Sequence, residues 1–149
     1  MKKTVNFNAA IRLILGKLQG AVADPVFTTP VDIMLFQNDI VPDPNGDATQ
    51  FTECDFTGYA AKVLALANTA PMSINPEGDY YVAFPHFFWA STGTTVSNSI
   101  YGFWVSGEVM GEADTVIWAH RFETPFQMVG PPDLLIVEPR LILGQPAGN

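Results

Sequence analysis

The chain has a single cysteine, Cys54, so no disulfide forms within it and the fold rests on packing. Charge is also scarce: 15% of residues are Asp, Glu, Lys or Arg, against a typical ~25%. Only seven are basic. That is too few to neutralise a run of phosphates, which excludes nucleic acid as the main partner. No stretch reaches the ~18 consecutive apolar residues of a membrane-spanning helix, so no membrane partner is expected. G-x-S-x-G, P-loop, H-E-x-x-H and paired-cysteine motifs are all missing. The expectation is therefore a protein that is not an enzyme and takes no cofactor, with Cys54 a small buried hydrophobe.

What charge there is divides unevenly. Lys2, Lys3, Arg12 and Lys17 lie in the first twenty residues with no carboxylate among them, a local charge of +4. All fifteen carboxylates follow, against Lys62, Arg121 and Arg140, so the remainder is −12 and the sum is the chain's −8. The opening resembles a secretory signal, with two lysines and an Ala21-Val22-Ala23 site. Its apolar stretch, however, is broken by Arg12 and Lys17, and an h-region should not carry charges. A basic arm ahead of an acidic body reads as a part made to be fastened to something.

Within the arm, residues 1–30, Asn8 is a candidate N-cap, and Ile11, Ile14, Leu15 and Leu18 recur at i, i+3, i+4 and i+7. The spacing predicts an amphipathic helix over about 8–19, too short to be stable alone in water. Pro25 and Pro30 mark an extended tether after it. From 31 to 145 the pattern is β, and 146–149 form a short tail. Strands are predicted at Val31–Phe36, Ala60–Ala67, Tyr80–Phe84, His86–Ala90, Ile100–Ser106, Thr115–Phe122 and Leu134–Leu143. Pro85 interrupts one run, and a helical turn is predicted within Thr52–Tyr59. Short strands with turn signals every 8–12 residues indicate an all-β, antiparallel sandwich or jelly-roll-like body.

Two strands are apolar on both faces. Along Ile100–Val105, Tyr101, Phe103 and Val105 alternate with Ile100, Gly102 and Trp104. Leu134–Leu143 is equally apolar apart from Glu138 and Arg140. A strand with one wet face should alternate. The second face is therefore expected to be covered by another subunit or by the arm. With 48% hydrophobic residues, oligomerisation or docking is expected. The expected interface residues are Ile11, Ile14, Leu15 and Leu18 from the arm and Tyr101, Phe103 and Trp104 from the body.

Candidates for chemistry are weak. His86 and His120 each sit in an aromatic strand and read as packing residues. Asp43-x-Asn45-x-Asp47 opens like a calcium loop, but Ala48 holds the glycine position and Cys54 the closing glutamate position, so no metal is expected. Tyr80, Tyr81, Trp89, Tyr101, Trp104 and Trp118 offer an alternative, an aromatic sheet face that binds host glycan.

Five segments carry a likeness: Leu35-Phe36-Gln37-Asn38, Asp55-Phe56-Thr57-Gly58-Tyr59, Asn98 to Val105, Val116 to Phe122, and Val137 to Gly144. Together they resemble small virion accessory proteins of tailed bacteriophages that decorate or cement a capsid. The likeness spans roughly 31–145. It implies a β-sandwich subunit, commonly a homotrimer, seated where capsomers meet. The partner would be the major capsid protein and the location the virion surface, after synthesis in the host cytoplasm. The alternative is a tail or spike adhesin using the aromatic face.

Overall fold

A computed structural model describes residues 31–64, 73–78, 80–109 and 112–142. The helix expected over about 8–19, the tether and the tail lie outside the described residues. The described chain is all-β, with strands β1 (Val31–Phe36), β2 (Lys62–Leu64), β3 (Ser73–Ile74), β4 (Tyr80–Ala83), β5 (Phe87–Ala90), β6 (Asn98–Val109), β7 (Glu112–Met128), β8 (Leu134–Val137) and β9 (Arg140–Ile142). Every pairing is antiparallel. The sheets run β2-β1-β6-β7, β3-β4-β9, and a two-stranded β5-β8 ribbon.

Pro85 does more than notch an edge strand. It falls between β4 and β5, which belong to different sheets, and Glu138-Pro139 does the same between β8 and β9. Proline cannot donate to a ladder, so both corners are places where the chain leaves one sheet for another. The run expected as a single strand over Leu134–Leu143 is accordingly two strands.

One core joins the four-stranded sheet to the ribbon. Ile33, Leu35, Ile100, Phe103 and Val105 pack with Trp89, Leu135 and Val137, all of them buried. The pairing skips a residue between Val105/Trp118 and Ser106/Val116. This bulge lets Ile117 and Trp118 both reach the core, while Val116 packs on the opposite side. Gly102 sits at another register shift, and a Cβ there would lie 2.1 Å from the His120 carbonyl and 2.7 Å from the Phe36 ring. Only glycine allows β7 and Phe36 to come that close.

β6 is covered on its second face as well, by the chain itself. The segment after β1 folds back, and Phe51 stacks on Trp104 with centroids 4.9 Å apart and an interplanar angle of 8°. Phe36 packs against Phe51 at 5.1 Å. Met34, Ile40, Tyr101 and Val116 complete this smaller cluster. Gln50 holds the loop closed, accepting from the Asp43 amide at 2.7 Å and donating to the Asp47 carbonyl at 3.1 Å. Asp47 caps a single 3-10 turn, Ala48–Gln50, by accepting from the Thr49 amide at 2.8 Å.

The helical turn expected within Thr52–Tyr59 does not form. The Cys54 amide donates to the Leu35 carbonyl at 2.9 Å, and Asn98 Oδ1 accepts from the Asp55 and Phe56 amides at 2.8 Å each. These long-range bonds hold residues 52–56 extended, and the chain then makes a tight turn at Thr57-Gly58, where the Tyr59 amide donates to the Phe56 carbonyl at 2.8 Å. Asn98 is 6% exposed, and its Nδ2 donates to Gln37 Oε1, Asp55 Oδ1 and the Ser97 carbonyl. Removing it leaves the buried Phe56 amide and the part-buried Asp55 amide unpaired, which costs more than the bonds themselves contribute. Asn98→Ala is therefore expected to lower unfolding free energy by about 2–3 kcal/mol in urea titrations. Ser99→Ala loses only an exposed bond to Gln127 and is expected to cost about 0.5 kcal/mol or less.

Candidate assembly surface

The ribbon buries one face, and no described segment covers the other. In β5, Trp89 points into the core while Phe88 and Ala90 are exposed. In β8, Leu135 and Val137 point inward while Leu134 and Ile136 point out. The register sets Phe88 opposite Ile136 and Ala90 opposite Leu134. Residues directly opposite on one face of a ribbon touch, so these rungs form a continuous apolar strip. Its members are far from buried: Phe88 is 55% exposed, Leu134 46% and Ile136 52%. Val41, Val63 and Ile74 are also exposed, but they sit on separate elements.

A polar cluster closes one end of the strip. His86 Nε2 lies 2.9 Å from Glu138 Oε2, one step beyond the Phe88–Ile136 rung. Arg140 Nε donates to Glu138 Oε1 at 2.7 Å, and its guanidinium lies over the Tyr81 ring at 5.2 Å. The hydrogen bond from Arg140, helped by the charges of Arg140 and His86, holds the Glu138 carboxyl below the ordinary carboxylate range. At the other end Asp133 Oδ2 accepts from the Val129 and Gly130 amides at 2.8 and 3.2 Å, fixing the turn into β8. The strip is thus apolar along its length and charged at its rim, the composition of a protein-contact patch.

Among the described residues, concavities lie elsewhere. One, of about 230 Å³, lies between Pro42, Pro44, Phe51, Val116 and Ala119, with Gln50 and Asp43 engaged with each other at its edge. Another, of about 370 Å³, is lined by Asp32, Glu108 and Asp114 near the β6–β7 turn. Asp43-x-Asn45-x-Asp47 uses its carboxylates on its own backbone: Asp43 Oδ1 accepts from the Asn45 amide at 2.8 Å, and Asp47 caps the 3-10 turn. Among the described residues no group of His, Cys, Asp and Glu is arranged to hold a metal ion. Nor is any helix among them long and apolar enough to cross a membrane.

Of the expected interface residues, Ile11, Ile14, Leu15 and Leu18 lie outside the described residues. Phe103 and Trp104, 3% and 4% exposed, are buried within the chain itself. The cover expected on β6 from a subunit or the arm is instead the loop ending at Phe51. Tyr101 is half-buried with the Arg121 guanidinium 5.5 Å above its ring, and Arg121 also binds Asp39 at 2.6 Å and the Ile40 carbonyl at 2.7 Å. The aromatic platform loses its tryptophans: Trp89, Trp104 and Trp118 are 2%, 4% and 3% exposed. Phe88, Leu134 and Ile136 were not among the expected residues. The signal for the last two is the double-sided apolarity of Leu134–Leu143.

Comparison with family models, curated proteins and solved structures gives no match to this chain.

Phe88 and Ile136 contribute little to the fold if their faces are open. Phe88→Thr/Ile136→Thr places a β-branched residue at each position and is expected to change unfolding free energy by less than about 1 kcal/mol. Trp89→Ala, on the inner face of the same strand, is expected to cost about 3–5 kcal/mol in the same titration.

Proposed function

We propose that this protein is a structural virion component that decorates or cements a phage capsid by binding across shell-subunit boundaries. Its body is read as an antiparallel sandwich or jelly-roll-like unit, carrying an N-terminal amphipathic helix on an extended arm. The subunits are read as trimers on the major capsid protein. The observation that carries this reading is the apolar strip of Phe88, Leu134 and Ile136 on the outer face of the ribbon.

Magnitude favours a repeated contact over a solitary one. Three large side chains about half exposed present on the order of 300 Å² of apolar surface. Burying that area is worth roughly 7 kcal/mol at ~25 cal/mol/Å². Association itself costs an estimated 4–15 kcal/mol, so one such contact is marginal. Many copies engaging a repeating lattice turn marginal contacts into firm attachment. A capsid shell offers such a lattice, and a body with net charge −12 outside its first twenty residues resists piling up on itself away from it.

The test is the number of copies per purified particle, measured by quantitative mass spectrometry against the major shell protein. The proposal expects parity with the shell protein or a simple fraction of it. A ratio of a few per cent or less would place the chain at the tail or a vertex and contradict a shell-wide role.

A further inference from the structure

The dimensions of the strip restrict what covers it. At on the order of 300 Å² it falls well short of the ~800 Å² that each partner brings to a stable protein–protein interface. A second copy docked face to face on this strip alone would not hold. The ribbon is two strands wide, with ~4.8 Å between strands, which suits one helix of ~10–12 Å diameter. The rungs Phe88–Ile136 and Ala90–Leu134 are about 7 Å apart along the strands. An apolar stripe repeating at i, i+3, i+4 and i+7 runs about 10 Å, enough to lie across both rungs.

The sequence holds one such stripe ahead of the strands, at Ile11, Ile14, Leu15 and Leu18. We propose that the strip on the β5–β8 ribbon is the receptor for this N-terminal segment of the protein's own chain. The proposal rests on reading the strip as an assembly surface and names its occupant. Reach permits it: the thirteen residues from Leu18 to Val31 span up to about 43 Å, whereas a body of this size is roughly 35 Å across. The segment therefore reaches the ribbon of its own body or of a neighbour beside it. Charge has the right sign: the first twenty residues carry +4 and the rest −12, which draws the segment to the body of any copy. Arg12 and Lys17 fall off the stripe, where a docked helix keeps them in water at the rim.

Cysteine cross-linking tests the contact in the full-length chain. The native thiol stays silent, since Cys54 is 3% exposed and is pushed up to about 12, by burial first and then by Asp55 and Glu53. Ala10→Cys/Ala90→Cys places one thiol beside the stripe and one within the strip, leaving the large apolar side chains of both intact. Ala10→Cys/Ala113→Cys puts the second thiol on exposed β7 near its turn instead. With a short bis-maleimide near neutral pH, the Ala90 pair is expected to cross-link at least five-fold more. A covalent dimer means the segment lies on a neighbour's body, as an assembly surface requires; an internally bridged monomer means it lies on its own body, which keeps the contact and overturns the strip as an assembly surface. Equal yields from the two pairs would overturn the proposal.

A second readout does not depend on cross-linker geometry. Leu15→Lys is expected to raise binding of an apolar-surface dye several-fold by freeing the strip, and adding Phe88→Thr/Ile136→Thr is expected to abolish the rise. An unchanged dye signal in Leu15→Lys would overturn the proposal. The virion reading fails separately: a preferred Ala90 cross-link in a protein missing from particles supports the contact and removes the capsid.

Discussion

The structure depends on β6 being paired along both edges and covered on both faces. β1 and β7 hold its edges. Phe103 and Val105 fill the main core on one face, and Trp104 packs under Phe51 on the other. A strand so enclosed has no wet side, so the chain has to supply a second cover. It does so with the loop after β1, which returns to lay Phe51 flat on the Trp104 indole. Asn98, at the start of β6, ties the returning segment down through the Asp55 and Phe56 amides. Tyr59 adds a further tie, accepting from the Leu35 amide at 3.1 Å and donating to Glu53 at 2.9 Å. Burial pushes its phenol up, so it remains a protonated donor throughout the physiological range.

The ribbon is the counterexample within the same molecule. β5 and β8 bury Trp89, Leu135 and Val137 as firmly as β6 buries Phe103, yet no described segment folds back over their outer face. Large apolar side chains in a row facing water do nothing for a lone folded chain and favour aggregation. They become useful when something arrives to bury them. The polar cluster of His86, Glu138 and Arg140 at one end and the Asp133-capped turn at the other give the strip fixed borders. That contrast, rather than a pocket or a constellation of reactive groups, is the basis for reading this chain as an assembly component.

Local patterns in the sequence were readable where local forces decide. The first strand falls at Val31–Phe36 as its composition predicts, and the β6–β7 pair follows from two long apolar runs. Double-sided apolarity marked both β6 and Leu134–Leu143 as needing a second cover, and the structure supplies one over β6. It did not tell which cover comes from the chain itself, because Phe51 and Trp104 are far apart in sequence and meet only after the sheet forms. Thr52–Tyr59 looked helical in isolation, and the Asn98 bonds that extend it are likewise non-local. Pro85 was legible as a break, but that it separates two sheets depends on β8 and β9 pairing with different partners. The candidate site was half legible, since Leu134 and Ile136 lay in a run apolar on both faces while nothing in the local pattern singled out Phe88.

The most direct measurement is the occupancy of full-length Phe88→Thr/Ile136→Thr on particles assembled without the wild-type chain, compared with wild type added at equal concentration. The account predicts a folded variant whose occupancy falls at least ten-fold, because without the strip the N-terminal segment of a neighbouring copy has no seat and the copies no longer hold one another on the shell. Occupancy equal to wild type would contradict it and return the ribbon face to the status of ordinary exposed surface.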